Sequence, residues 1–326
     1  MKIAILDDYQ DAVRHLDCFS MLKDHEVRVF NNSAVGVGQL AVRLAPFDAL
    51  VLIRERTRFS RALLARLPNL KLISQTGKVA GHIDLQAAAE HGIAIAEGTG
   101  DPVAPAELTW ALIMAASRRL HNYAQLLQQG AWQLSSLHSE RNQLGRVLKK
   151  RTLGIWGYGK IGRMIAGYGR AFGMRVLVWG REASLQQARA DGCDAAASRD
   201  AFFAESDVLT LHLRLNDATR GIVKLADLQR MKSDALFVNT SRAELVEEGA
   251  LLKALDSGYP GFAALDVFEQ EPLSVVHPLL GRENVLVTPH LGYVEKDSYE
   301  LYFSSAFQNI LAFAEGRPEN ILHVPS

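Results

Sequence analysis

Cysteine is scarce in this chain. Of its 326 residues only Cys18 and Cys193 are cysteines, which excludes a disulfide framework. The two also lack the close spacing of zinc-binding cysteines. We therefore expect a reducing compartment, no bound metal, and two small, buried thiols.

An excess of charge of one sign is also absent, because Lys+Arg and Asp+Glu both number 36. This balance argues against a nucleic-acid-binding or anionic-membrane surface. No apolar run reaches the roughly 18 residues of a membrane span. The first residues, MKIAILDDY, enter a predicted strand without the pattern of a signal peptide. We expect a cytoplasmic chain without a membrane or nucleic-acid partner.

What the sequence does contain is a regular alternation of short apolar segments with longer amphipathic ones. The first hundred residues hold the strand-like segments KIAILD, EVRVF, DALVLI, LKLIS and GIAIAE. After residue 150 the strand-like segments are TLGIWG, RVLVWG, SDVLTLHL, ALFVNTS, GFAALDVF and NVLVTPH. Such alternation predicts an α/β fold in which helices cover both faces of parallel sheets.

The stretch from Asp101 to Trp132 has a helical pattern that follows an early pair of prolines. Proline is well placed at the start of a helix. We predict one long helix here, connecting two domains.

The segment GYGKIG contains Gly157, Gly159 and Gly162 in the spacing G-x-G-x-x-G. It follows an apolar segment and opens a helical pattern, the context of a dinucleotide-binding turn. In such a turn the glycines allow a tight bend, close approach of a pyrophosphate, and close helix packing. The helix N-terminus attracts the phosphates.

The next strand ends at Gly180 and Arg181, where dinucleotide-binding folds usually carry a carboxylate for the ribose hydroxyls. Arginine suits a 2′-phosphate instead. The sequence therefore favours NADP over NAD, although NAD bound through Glu182, or without a carboxylate, remains the alternative.

Three polar residues follow strands of the second half of the chain. Arg242 follows FVNTS, Glu271 lies in LDVFEQEP, and His290 lies in VLVTPHLG. The carboxyl edge of an open α/β sheet is where ligands bind, so we expect these three residues to form a site beside the cofactor.

These phrases, SDVLTLHL, FVNTSRAELV, ALDVFEQEP and TPHLG, resemble in order and spacing the D-isomer-specific 2-hydroxyacid dehydrogenases, which include D-3-phosphoglycerate, glycerate, glyoxylate and formate dehydrogenases. The resemblance implies two doubly wound parallel-sheet domains. A Rossmann domain that binds NAD(P), residues 101–292, is inserted in a flavodoxin-like substrate domain, residues 1–100 plus 293–326.

The resemblance also implies residue roles. His290 is the acid/base, Glu271 its partner, Arg242 the substrate-binding arginine, and Asp266 the residue that holds the nicotinamide carboxamide. The remaining residues assigned to the cofactor site are Tyr158, Lys160, Ile161, Thr240 and Gly292.

The chemistry of a 2-oxo acid reduction requires a hydride, a proton and an anchor for a carboxylate. The cofactor brings the hydride. Histidine readily gains and loses a proton near neutral pH, so it suits the acid/base role. A carboxylate on its other nitrogen orients the ring, and an arginine holds the substrate carboxylate and polarises the carbonyl.

The substrate loop departs from the family pattern. The family usually has a sequence like GVGxDNID, whose backbone N–H groups take the substrate carboxylate, whereas this chain has TGKVAGHIDL. We assign substrate contacts to Lys78, Val79 and Arg54. The segment AEGTGDPVAPAE also departs from the family's N-x-P form, so the identity of the 2-oxo acid stays open.

Two functions fit the sequence. The first is an NAD(P)-dependent D-2-hydroxyacid dehydrogenase, which we expect to be a homodimer by analogy with the family. The second is a nucleotide-sensing corepressor on the same fold, which would bind cofactor without turning over any 2-oxo acid. Because Arg242, Glu271 and His290 are all present, the sequence favours the enzyme.

Overall fold

The structure is a computed structural model that describes residues 1–34, 36–134, 136–138 and 144–322. The chain forms two compact units. One, here called the discontinuous unit, combines Met1–Asp101 with the segment that begins at Val294. The other, the inserted unit, is Pro102–Tyr293.

The described residues of the discontinuous unit build a sheet of five parallel strands. The strands are β1 (Lys2–Ile5), β2 (Glu26–Val29), β3 (Ala49–Leu52), β4 (Leu72–Gln75) and β5 (Ala94–Ala96). Their order is β2-β1-β3-β4-β5, as in flavodoxin. β3 and β4 are buried along their whole length, because both faces of such a sheet are covered.

The helices of this unit are α1 (Val37–Leu44), α2 (Arg61–Leu64), α3 (Leu85–Glu90) and a final helix, Lys296–Ala314, here called the last helix. The last helix buries Phe303 and Phe307 completely. The Ser74 hydroxyl of β4 donates a hydrogen bond to the carbonyl of Ala306 over 2.9 Å. The last helix is thus an integral part of the core of this unit.

The described residues of the inserted unit build a sheet of seven parallel strands. The strands are β6 (Thr152–Trp156), β7 (Arg175–Trp179), β8 (Asp194–Ala195), β9 (Val208–Leu211), β10 (Leu236–Asn239), β11 (Phe262–Leu265) and β12 (Val285–Val287). Their order is β12-β11-β10-β9-β6-β7-β8. Counted from β6, this is the order of a Rossmann fold with one further strand.

Helices cover both faces of this second sheet. They are α4 (Val103–Ser117), α5 (Leu120–Gln128), α6 (Lys160–Ala171), α7 (Glu182–Ala190), α8 (Arg199–Glu205), α9 (Leu225–Leu228) and α10 (Ala250–Ser257). One core contains the buried rings of Trp156, Phe202 and Phe203, and another contains Ile165 and Val178. The predicted α/β class, with two doubly wound parallel sheets, is confirmed.

The prediction of one helix over residues 101–132 is wrong. α4 ends at Ser117 and α5 begins at Leu120, because Arg119 has a left-handed backbone with φ of +54°. Arg119 is buried, and its guanidinium carbon lies 5.7 Å from the ring centre of Phe262. Docking of this side chain on the sheet turns the backbone without a glycine or proline to mark the break.

The two-residue strand β8 was not among the predicted strands, since it is too short to carry a pattern. In the described part of the chain, no helix is both long enough and apolar enough to cross a bilayer.

Candidate active site

The turn between β6 and α6 has the tight packing that its glycines predict. Gly157 has a φ of +105°, and a Cβ at this position would collide with the carbonyl oxygen of His212. A Cβ at Gly162 would collide with the carbonyl oxygen of Gly157. Both glycines are therefore required for the close approach of strand and helix.

Gly159 differs from these two glycines. Its φ is −89°, and a Cβ at this position would meet nothing within 4 Å. Packing therefore does not require this glycine. Because Gly159 has no side chain, the space in front of the N-terminus of α6 stays open. The first backbone amides of α6 there are those of Lys160 and Ile161. This open space at a positive helix end fits the pyrophosphate of a dinucleotide.

The side chain of Tyr158 points into the protein. It is 6% exposed, and its hydroxyl donates a hydrogen bond to Asp191 over 3.1 Å. Burial raises the pKa of this phenol. Of the predicted cofactor residues, Tyr158 therefore offers its backbone rather than its side chain to the turn.

The end of β7 presents an arginine. Arg181 is the exposed N-cap residue of α7, directly after Gly180. The neighbouring carboxylate of Glu182 pairs with the guanidinium of Arg189, two turns along α7, over 3.1 Å. Glu182 could replace the acidic residue that is missing at the end of β7, but its carboxylate points along α7 towards Arg189.

Two strand ends bring the histidine and its carboxylate together. Glu271 follows β11 and His290 follows β12, and these strands are parallel neighbours. Oε2 of Glu271 lies 2.6 Å from Nδ1 of His290, and Oε1 accepts the N–H of Phe268 over 2.9 Å. Since Nδ1 is engaged by Glu271, Nε2 is the nitrogen left for a substrate.

The charge state of Glu271 follows from its neighbours. Burial opposes its ionisation, but the hydrogen bonds from His290 and Phe268 and the charge of Arg242 together lower its pKa below the usual value. Glu271 is therefore a carboxylate near neutral pH and can accept a hydrogen bond from the imidazole of His290.

Arg242 joins this pair from the adjacent strand β10. It precedes a short 3-10 helix, Ala243–Leu245, and its Nη1 donates to the carbonyl of Ser241 over 2.6 Å. Its charge acts on Glu271. The three residues singled out in the sequence thus lie at one edge of one sheet.

Asp266 holds the loop that carries His290. His290 has a left-handed φ of +54°. Asp266 is fully buried and accepts hydrogen bonds from the Thr288 hydroxyl at 2.6 Å, the Leu291 N–H at 2.7 Å and the Gly292 N–H at 2.9 Å. Burial raises the pKa of its carboxyl group. In this structure Asp266 fixes the backbone on both sides of the histidine.

Two further predicted cofactor residues lie near this edge. The hydroxyl of Thr240, directly after β10, lies 2.7 Å from the hydroxyl of Thr109 in α4. A Cβ at Gly292 would lie 3.4 Å from Oδ2 of Asp266. Thr240 thus contacts α4, and Gly292 packs against the carboxylate of Asp266.

A second histidine at the carboxyl edge, His212, was not singled out in the sequence. It follows β9, and its Nε2 lies 3.1 Å from the hydroxyl of Thr210. Desolvation lowers the pKa of His212 to about 3, so this ring is neutral near neutral pH.

The residues predicted to contact the substrate lie in the discontinuous unit. Arg54 follows β3 with a φ of +53°, and its N–H donates to the hydroxyl of Thr76 over 3.0 Å. The ammonium of Lys78 and the N–H of Val79 both donate to one carboxylate, that of Glu97, each over 2.8 Å. Sequence reasoning missed Glu97; the available signal was the departure of AEGTGDP from the family pattern.

The sheet order, the glycine turn, and the histidine and carboxylate at the carboxyl edge define a dinucleotide-binding α/β protein of the oxidoreductase class. Residues 110–292, more than half of the chain, match the family model for the D-isomer specific 2-hydroxyacid dehydrogenase NAD-binding domain. The chain belongs to this family and is an NAD- or NADP-dependent D-2-hydroxyacid dehydrogenase, as its motifs predicted.

Individual proteins of this family are similar to the chain over most of its length. A glyoxylate reductase of Aeropyrum pernix is 37% identical over 80% of this chain and 78% of its own length. A D-3-phosphoglycerate dehydrogenase of Archaeoglobus fulgidus is 29% identical, and the match spans about half of that protein (53%) and 87% of this chain. A crystal structure of a phosphoglycerate oxidoreductase from Vibrio cholerae superposes with a TM-score of 0.93 at 58% identity, covering 97% of this chain and 99% of the other.

Proposed function

We propose that the protein reduces a short 2-oxo acid to the D-2-hydroxy acid, with NADPH as the preferred cofactor. The observation that carries this proposal is the 2.6 Å contact between Nδ1 of His290 and Glu271, which leaves Nε2 for the substrate oxygen. Relatives named glyoxylate reductase match this chain over most of their own length, which supports a small 2-oxo acid as substrate.

His290 and Glu271 carry the proton transfer in this proposal. The bound cofactor supplies the hydride. The imidazolium of His290 gives its proton from Nε2 to the oxygen of the substrate carbonyl as negative charge develops there. Glu271 stabilises the protonated ring and fixes its orientation, because its carboxylate stays ionised and engages Nδ1.

Arg242 binds the substrate in this proposal. Its guanidinium has a planar set of donors that matches a carboxylate. One nitrogen is anchored on the Ser241 carbonyl, which limits the positions that the group can adopt. A fixed cation beside the carbonyl stabilises the charge that forms during the reaction.

The preference for NADP rests on Arg181. At the end of β7 the exposed guanidinium of Arg181 replaces the usual carboxylate, while Glu182 is engaged by Arg189. Arg181→Ala should lower kcat/KM for NADPH about 10-fold or more, the value of one charge-assisted hydrogen bond. The kcat/KM for NADH serves as the internal control and should stay unchanged; an equal loss with both cofactors would contradict the assignment.

A substrate panel tests the reaction itself. Glyoxylate, hydroxypyruvate, phosphohydroxypyruvate, pyruvate and longer 2-oxo acids are each offered with NADPH and with NADH, and cofactor oxidation is followed at 340 nm. We expect turnover of at least one acid and formation of the D-enantiomer. Cofactor binding without turnover of any acid would contradict the proposal and favour a nucleotide-sensing role.

The proposal includes a homodimer and a cytoplasmic location. Exposed apolar side chains cluster along α5 and the segment after it: Leu120, Leu127 and Trp132 are 55%, 53% and 77% exposed. A run of large apolar side chains open to water marks an interaction surface. The cytoplasmic location continues to rest on the low cysteine content.

A further inference from the structure

Two segments at the carboxyl edge of the discontinuous unit lie directly against each other. One is the substrate loop, which follows β4, and the other begins at Glu97, which follows β5. The N–H of Gly98 donates to the carbonyl of Gly77 over 2.8 Å. A Cβ at Gly98 would lie 2.7 Å from the nitrogen of Gly77, so any side chain there would push the two segments apart.

The carboxylate of Glu97 spans this junction. Oε1 accepts the N–H of Val79 and Oε2 accepts the ammonium of Lys78, each over 2.8 Å. The side chain of Glu97 is 17% exposed, whereas that of Lys78 is 65% exposed. Glu97 therefore engages both groups that the sequence assigns to the substrate at these positions.

The backbone of Glu97 is itself fixed on both sides. Its N–H donates to the carbonyl of Asn320 over 3.0 Å. Its carbonyl accepts from the side-chain amide of Asn309, a buried residue of the last helix, over 3.0 Å. Hydrogen bonds on both sides thus hold the backbone of Glu97 in place.

The same junction leaves two other amides of the loop available. In the described part of the chain, no acceptor engages the backbone N–H of Gly77 or of Lys78. The guanidinium of Arg54 lies against the α-carbon of Gly77, where any Cβ would collide with it. Consecutive backbone amides beside a guanidinium form a site for a carboxylate.

We propose that Glu97 is a positioning residue that holds the substrate loop through Val79 and Lys78, so that the substrate carboxylate is bound by the backbone amides of Gly77 and Lys78. This inference rests on the proposed function. It differs from the sequence-based assignment, because the ammonium of Lys78 then serves the loop and does not bind the substrate.

Three variants test this role with the best acid of the panel. Glu97→Ala removes both contacts, so we expect KM to rise about 10-fold or more while kcat stays within about 3-fold. Glu97→Gln keeps an acceptor for the N–H of Val79 and should restore most of the KM. Lys78→Met removes the exposed ammonium contact to Glu97 but keeps the backbone amide of residue 78 and the contact of Glu97 with Val79, so KM should rise by only about 2- to 3-fold, the small effect of an exposed ion pair.

Specific results would overturn the proposal. An unchanged or lower KM in Glu97→Ala would mean that Glu97 is neutral or competes with the substrate. A rise of about 10-fold in Lys78→Met would assign the ammonium to the substrate. The latter test remains decisive if Glu97→Ala fails to fold.

The Kd of NADPH is the control, since Glu97 lies outside the inserted unit; it should be the same in all three variants. Failure of the two proposals is distinguishable. A wild-type protein that turns over no acid contradicts the proposed function, whereas wild-type turnover with an unaffected Glu97→Ala variant contradicts this inference alone.

Discussion

His290 combines an unfavourable backbone conformation with a fixed ring. A left-handed φ costs a residue with a side chain about 1 kcal/mol or more, and such strain persists only where neighbours enforce it. Asp266 provides this enforcement through Thr288, Leu291 and Gly292. Since Glu271 then orients the ring, two carboxylates determine where Nε2 points.

Replacement of the histidine tests its role directly. His290→Ala should lower kcat/KM for the best acid by about 10²–10⁴-fold, the usual contribution of a general acid, with the Kd of NADPH unchanged. His91→Ala, which removes an exposed histidine of the discontinuous unit, should behave like the wild type. Near-normal activity of His290→Ala would refute the assignment.

Glu271 gives the stability of the protein a defined pH dependence. Its pKa is lowered in the folded state from the ordinary value of 4.5, so its stabilising contribution is complete above about pH 4.5 and is lost as the pH falls through the folded pKa. Glu271→Gln should therefore be less stable at pH 7 by about 0.5–1 kcal/mol, the range for accessible pairs.

Urea unfolding at pH 7 and at pH 4 measures this contribution. The difference between wild type and Glu271→Gln should shrink at pH 4, where the carboxylate is progressively protonated. A difference that stays constant between the two pH values would show that the charge of Glu271 contributes nothing.

Individual residues differ in how far the sequence predicts them. The placement of Arg242, Glu271 and His290 at one edge was predictable, because each comes a few residues after an apolar strand and parallel strands end at the same edge. Their chemical roles stay predictions.

The contacts of Glu97 with the N–H of Val79, and of Asp266 with the N–H groups of Leu291 and Gly292, were not predictable. Every residue except proline carries a backbone N–H, so residue identity does not reveal such a contact; the departure of AEGTGDP from the family pattern marks the segment but not the contact.

At the level of elements, the turn from β6 to α6 separates two uses of glycine. Gly157 and Gly162 serve the packing of the protein itself, whereas Gly159 faces open space. The same three-glycine motif therefore contains positions that determine stability and a position that affects only a ligand.

A matched pair of alanine variants separates these uses. Gly162→Ala should lower Tm by several degrees, because a Cβ there collides with the backbone of Gly157 and overpacking costs about 1–3 kcal/mol. Gly159→Ala should keep the wild-type Tm but weaken NADPH binding, since the methyl group enters the space that the pyrophosphate needs. Equal NADPH affinity of Gly159→Ala and wild type would contradict this placement of the cofactor.

The break between α4 and α5 illustrates what local patterns miss. Glycine and proline mark most helix ends, but here an arginine takes the left-handed conformation. The cause is tertiary, namely the docking of Arg119 on Phe262, a residue far along the chain. The helical pattern across this point is genuine, and packing overrides it.

On the scale of the whole molecule, the exposed apolar side chains after α4 predict association. Light scattering after size exclusion should give twice the 35.9 kDa of one chain. Trp132→Glu should weaken the dimer, because it places a charge on the exposed apolar surface. Val42→Glu, at an isolated side chain of α1 that is 81% exposed in the discontinuous unit, is the control. A wild type that is monomeric at every concentration would contradict the prediction.

The alternation of strands and helices predicted both sheets, since strands buried on both faces have recognisable apolar runs. The strand orders did not follow from this pattern, because it does not say which strands become neighbours. They were expected from the family resemblance instead.

The contribution of the last helix to the discontinuous unit bears on how the protein is made. Strands β6 to β12 of the inserted unit have all been synthesised once the ribosome has passed Val287. The inserted unit can therefore fold while synthesis continues. The five-stranded sheet of the discontinuous unit cannot be completed until Phe303 and Phe307 of the last helix have been synthesised, because both side chains are completely buried in that unit. Until they emerge, the nascent chain exposes an uncovered apolar surface, and the part that is synthesised first is completed last.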